Sequence, residues 1–131
     1  MTGDIKQLLG TTIEQATYEK SSGCLFFATD RGVFKGEPWG ECCSSCYVQH
    51  VSGADALSKG AIVTSVDDIT DLPPVPESEV NDVIDNWGHR ITTTKGVCSI
   101  EMRLDHNGYY GGALDVALFD GEPKGTALDD F

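Results

Sequence analysis

The sequence predicts an α+β fold: a single, mainly antiparallel, meander-like β-sheet with one or two short helices. Three observations lead there. Apolar residues alternate at period two through Cys98, Ile100, Met102 and Leu104, with Ser99, Glu101 and Arg103 opposite. Turn residues such as Asp30-Arg31-Gly32 separate short β-rich runs. The runs do not alternate with long helical segments, so parallel βαβ winding is not expected. A length of 131 residues suits one domain. That domain is expected over 1–120, with an acidic, Pro-rich insertion at about 67–86 and a flexible tail over 121–131.

The elements follow in chain order. Asp4 to Gly10 reads as a short helix, with Ile5, Leu8 and Leu9 on one face and Gly10 as its stop. Thr12–Tyr18 and Cys24–Thr29 read as strands joined across Glu19 to Gly23, a loop of hairpin length. Asp30-Arg31-Gly32 turns the chain into Val33-Phe34-Lys35, and the Gly36 to Gly40 stretch, with Pro38, is expected to break that strand. Tyr47 to Val51 is a strand. Gly53 to Gly60 is expected to hold one or two helical turns. The β-branched run Ala61 to Val66 is a strand, and Val80, Val83 and Ile84 suggest a short helix over 77–84. Trp87–Thr94 and Val97–Leu104 form the clearest hairpin. Asp105-His106-Asn107-Gly108 is a strong turn signal before Leu114 to Leu118, where Leu114, Val116 and Leu118 share a face.

Composition narrows function by exclusion. The net charge is -12, which is incompatible with nonspecific nucleic-acid binding, because affinity for phosphate comes from Lys and Arg. No apolar run approaches the roughly 20 residues of a membrane span. The opening residues lack a basic stretch followed by an apolar one, so no secretory signal is expected. Five cysteines, an odd count, then point to free thiols in a reducing cytoplasm.

Cys24 and Cys98 lie in apolar strands and read as core residues. Cys42, Cys43 and Cys46 form a tighter cluster, with His50 four residues on. Thiolates and imidazole are zinc ligands, so Cys42, Cys43, Cys46 and His50 are the candidate metal set. In a regular strand, however, Cys46 and His50 would share a face about 13 Å apart, too far for one ion. No second C-x-x-C completes four ligands. A cysteine nucleophile with His50, His89 or His106 as base is a further alternative. The favoured reading is a turn with small buried thiols and no cofactor.

Residues 60–89 contain no Lys or Arg, while Asp67, Asp68, Asp71, Glu77, Glu79, Asp82 and Asp85 lie within them. The segment either keeps a loop solvated or presents a surface for a basic partner. The spacing is not that of an EF-hand, and Pro73, Pro74 and Pro76 work against a compact carboxylate cage. Tyr109 and Tyr110, in a Gly-rich turn, are candidate partner anchors, against the alternative that they cover the sheet edge. Trp87 with His89 reads as packing on the sheet. No Walker loop, dinucleotide fingerprint, Ser elbow or H-E-x-x-H is present, so an enzyme is not expected.

Five segments occur in a telling order: Gly10-Thr11-Thr12-Ile13, Glu41-Cys42-Cys43, Gly53-Ala54-Asp55-Ala56-Leu57, Thr94-Lys95-Gly96 and Asn107-Gly108-Tyr109-Tyr110. Over roughly residues 8–119 the chain resembles a family of small uncharacterised proteins encoded mainly by bacteriophages and prophages. It departs from the family pattern at Glu41, where relatives carry Asp, at Ser44, where they carry Glu, and at Gly111, where they carry Ser. Cys46 stands where they carry Val, which supports a core-filling role for that thiol. The resemblance implies a phage origin and a site of action in the cytoplasm of an infected bacterial host. It implies no reaction. Joined to the charge, it suggests a non-enzymatic accessory protein that binds a host protein with a basic surface.

Overall fold

The computed structural model describes residues 3–41, 44–73, 83–106 and 111–131. Its strands are β1 (Ile13–Glu19), β2 (Cys24–Thr29), β3 (Gly32–Gly40), β4 (Ser45–Ser52), β5 (Val63–Ile69), β6 (Val83–Thr93), β7 (Gly96–His106), β8 (Gly112–Phe119) and β9 (Thr126–Ala127). Helical structure among the described residues is limited to two four-residue 3-10 turns, Ile5–Leu8 and Ala54–Leu57. The strands form two sheets, ordered β8-β3-β2-β1-β9 and β4-β7-β6-β5. All strand pairs are antiparallel.

The expected α+β fold with a single sheet is therefore corrected to an all-β arrangement of two sheets. Strand β2 shows why. All six of its residues are buried, so both of its faces need cover. Leu25 and Phe27 face inward and join Phe34 and Val116 against Val51, Ile91, Ile100 and Met102 of the other sheet. Phe26 points the other way, and the Phe119 ring packs edge-on against it at 5.3 Å. Two short helices could not have covered that apolar area, whereas a second sheet can.

Each expected helix fails for a local reason. The first is one turn long because Gly10 takes φ 80° and the buried Thr11 hydroxyl donates to the Leu8 carbonyl at 2.6 Å. The second starts from Gly53 at φ 79° and ends after four residues. Segments that short do not repay helix nucleation. The helix expected over 77–84 is overturned at its end, since Val83 and Ile84 open β6 opposite His106 and Asp105. Its residues 77–82 lie outside the described residues. β-branched side chains gain more from that pairing than from a helix turn.

Other elements match expectation more closely. β1 pairs with β2 across the 19–23 loop, and β6 with β7 across Thr94-Lys95. The alternation of buried residues in β7 is continuous from Cys98 to His106. β3 does not break at Gly36. It runs on to Gly40 beside β8, but β2 stops pairing at Gly36, so Pro38 lies where one side of the strand is open. Leu118 shares the register of Val116 but is exposed.

The ends of the acidic insertion belong to the sheet. Asp67–Ile69 complete β5 and Val83–Asn86 begin β6. The C-terminal segment, expected to fray, is held at three points. β9 pairs with β1, the Leu128 side chain is buried, and Phe131 exchanges backbone hydrogen bonds with Val51.

Candidate functional site

The inner face of the four-stranded sheet changes character along its length. Residues opposite one another in an antiparallel pair share a face. Ile91 stands opposite Cys98, His89 opposite Ile100, Trp87 opposite Met102 and Asp85 opposite Leu104. On the other flank of β6, Asp68 stands opposite His89. One end of this face is apolar. The other carries Asp68, His89, Trp87, Asp85 and His106.

These side chains form two Asp–His pairs that bracket Trp87. His89 Nδ1 lies 3.1 Å from Asp68 Oδ1, and His106 Nε2 lies 2.7 Å from Asp85 Oδ2. His106 is almost wholly buried, while Asp85 and Asp68 are about half exposed. A carboxylate accepts, so His89 donates from Nδ1, and its second ring nitrogen is Nε2. That Nε2 is buried and has no hydrogen-bond partner among the described residues. A buried ring nitrogen left without a partner costs free energy whether it carries a proton or a lone pair.

A cleft of about 280 Å³ opens beside the first pair, walled by Asp68, Trp87 and His89 on one side and by Asp4, Ile5 and Leu114 on the other. The far wall is fixed by the N-terminal segment. Val116 donates its N–H to the Gly3 carbonyl at 3.1 Å, and Gln7 Nε2 donates to the Val116 carbonyl at 2.6 Å. The Asp115 carboxylate accepts from the Gly3 N–H, which ties the same segment to β8. Lys6 Nζ approaches Asp68 Oδ2 at 3.8 Å from the rim, with both side chains about half exposed.

Of the seven acidic residues singled out in the sequence, Asp67, Asp68, Asp71 and Asp85 are described; Glu77, Glu79 and Asp82 lie outside the described residues. Asp68 and Asp85 are the two histidine partners. Asp67 accepts from the Ser65 hydroxyl at 2.8 Å and stands opposite Arg90, and Asp71 is exposed just past the end of β5. Tyr109 and Tyr110 also lie outside the described residues, as do Cys42 and Cys43.

The remaining two members of the proposed metal set are held apart. The register of β4 shifts between Val48 and His50, so Gln49 and His50 both face solvent while Cys46 and Val48 turn toward β7's inner face. Cys46 and His50 do not share a face, contrary to the regular-strand expectation. No group of three potential metal ligands occurs among the described residues. Cys46 Sγ lies 3.7 Å from the Ala113 carbonyl oxygen, and burial pushes its thiol up. Burial, with a smaller contribution from Asp130, pushes the Cys98 thiol up to about 12. Both shifts run opposite to those of an activated nucleophile.

The Asp–His pairs were missed in sequence because Trp87 and His89 read as packing and 77–84 as helix. A signal was there: Asp85, Trp87 and His89 are spaced two apart, which puts them on one face once β6 is extended to Val83.

Residues 6–116 match the family described as Domain of unknown function (DUF7448). The chain belongs to that family. The DUF7448 match takes in Lys6, Asp68, Trp87, His89 and Leu114, and stops short of β9 and the Val51–Phe131 pairing partner. No curated protein and no solved structure matches the chain. No helix among the described residues is long and apolar enough to cross a membrane.

Proposed function

We propose that this is a non-enzymatic accessory protein that binds a host protein with a basic surface in an infected bacterial cell. The observation that carries the reading is the placement of carboxylates at one end of the four-stranded sheet. Asp67, Asp68 and Asp71 follow one another along and beyond β5, and Asp85 stands at the same end of β6. No Lys or Arg lies between residues 60 and 89, and the cations that approach these carboxylates, Lys6 at Asp68 and Arg90 opposite Asp67, are fewer than the carboxylates. β5 is also the outer strand of its sheet, so these groups sit at an accessible border. A negative border of this kind steers basic partners and is screened by salt.

The test is capture from host lysate at low salt and at about 300 mM salt, with charge-reversed variants alongside. Asp67→Lys with Asp71→Lys is expected to abolish capture. Asp120→Lys with Glu122→Lys, at exposed positions after β8, is expected to leave it intact. Equal loss in both variants, or capture indifferent to both salt and charge reversal, overturns the reading.

A further inference from the structure

We propose that the cleft walled by Asp68, Trp87 and His89 receives the guanidinium of an arginine side chain on the basic partner. This rests on the docking reading above and names the group that would be seated.

The chemistry of the walls selects the ligand. Asp68 is a half-exposed acceptor, and His89, which holds it, lines the cleft beside it. Asp4 adds a second carboxylate, already engaged by the Lys6 backbone N–H at 2.9 Å. An occupant must therefore bring N–H donors, and positive charge is favoured over negative. Lys6 Nζ at 3.8 Å from Asp68 marks a position where a cation already approaches this carboxylate. The Trp87 ring supplies an aromatic wall, and Ile5 and Leu114 supply apolar surface for a methylene stem. A guanidinium meets all of these demands at once. It is planar, weakly hydrated and always charged, and its donors point in several directions, so one edge can serve the Asp68 carboxylate while the plane lies against the aromatic wall. An ammonium is a compact, strongly hydrated point charge and exploits the aromatic wall less. The cleft volume of about 280 Å³ leaves room for the side chain.

The test follows the His89 ring nitrogens by NMR during titration of the full chain. The probes are blocked Gly-Arg-Gly, the same peptide with citrulline, the same peptide with lysine, and agmatine. Saturable movement of the His89 Nε2 signal with the arginine peptide, and none with the neutral citrulline peptide, is expected. Asp68→Asn should weaken the arginine peptide about tenfold, as loss of a hydrogen bond involving a charged group does. Lys6→Ala should tighten it about twofold by freeing Asp68, a gain that a misfolded variant would not show. Equal response to citrulline, a lysine peptide that binds as well as arginine, or no response at His89 overturns the proposal. Agmatine binding without binding of the arginine peptide overturns the assignment to a partner protein. Capture of a basic partner with no peptide response would remove the cleft proposal and leave the docking reading. A peptide response with no captured partner would overturn the docking reading and, with it, the assignment of the arginine to a partner protein.

Discussion

Val51 and Phe131 exchange two backbone hydrogen bonds, the Val51 N–H donating at 2.9 Å and the Phe131 N–H at 3.0 Å. This pairing lies on the outer edge of β4, while Leu128 donates to the Ala16 carbonyl of β1 at 3.0 Å. The last six residues therefore touch both sheets. The Phe131 ring meets Tyr18 at 5.0 Å, and the Leu128 side chain is buried. Leu128→Ala is expected to cost about 2–3 kcal/mol, measured by urea unfolding, because it leaves a cavity between the sheets. A cost below about 0.5 kcal/mol would mean that the segment is not docked.

The same segment gives a pH dependence. Asp130 Oδ1 accepts from the Ala54 N–H at 2.8 Å, and this bond, with a further one from Gly53, holds its carboxyl below the usual carboxylate range. A carboxyl lowered in the folded state contributes stability above its unfolded value, about 3.9, and that contribution is lost as pH falls through the lower folded value. Melting temperatures of wild type and Asp130→Asn should thus converge as the pH drops into that window and differ most above it. Parallel profiles at all pH values would remove Asp130 as the cause.

Gly53 starts the second 3-10 turn at φ 79°, and a Cβ there would collide with the Val97 carbonyl oxygen. Gly53→Ala should therefore destabilise by at least about 1 kcal/mol, because neither the backbone angle nor the neighbouring strand can yield cheaply. Gly23, also at positive φ, has open space around its missing side chain. Gly23→Ala should cost less than Gly53→Ala, and equal costs would show that backbone conformation, not the Val97 contact, decides.

Cys98 is fully buried between the sheets, with its thiol pushed up to about 12. At pH 8 in the native protein it should resist iodoacetamide on a timescale that fully labels it in urea. Cys46, also raised by burial, should label slowly. Mass spectrometry of the labelled peptides reads both. Rapid native labelling of Cys98 would reopen a reactive role for that thiol.

Lys6 and Asp68 approach to 3.8 Å with both side chains about half exposed. Lys6→Ala should change stability by less than about 0.5 kcal/mol, as exposed ion pairs do. Denaturant unfolding checks this, and it makes the variant a clean probe of charge in the cleft. A larger loss would assign Lys6 a structural role in anchoring the first turn.

The local pattern alone determined the hairpins. Period-two alternation from Cys98 to Leu104, the β-branched run after Ala61, and the turns at Asp30-Arg31-Gly32 and Lys95-Gly96 are signals carried by neighbouring residues, and the strands formed where they pointed. The burial of Cys24 and Cys98 was legible for the same reason. Only the tertiary structure decided that the strands divide into two sheets, because that depends on which distant strands cover the inner face of β2 that carries Leu25 and Phe27. It also decided the fate of Val83 and Ile84, where pairing with β7 outweighed a weak helical pattern. The candidate site belongs to this second class. Asp68 and His89 are 21 residues apart, as are Asp85 and His106, and nothing local links them. Strand register brings each pair together, and register is set by burying one face of a sheet rather than by any one residue's preference.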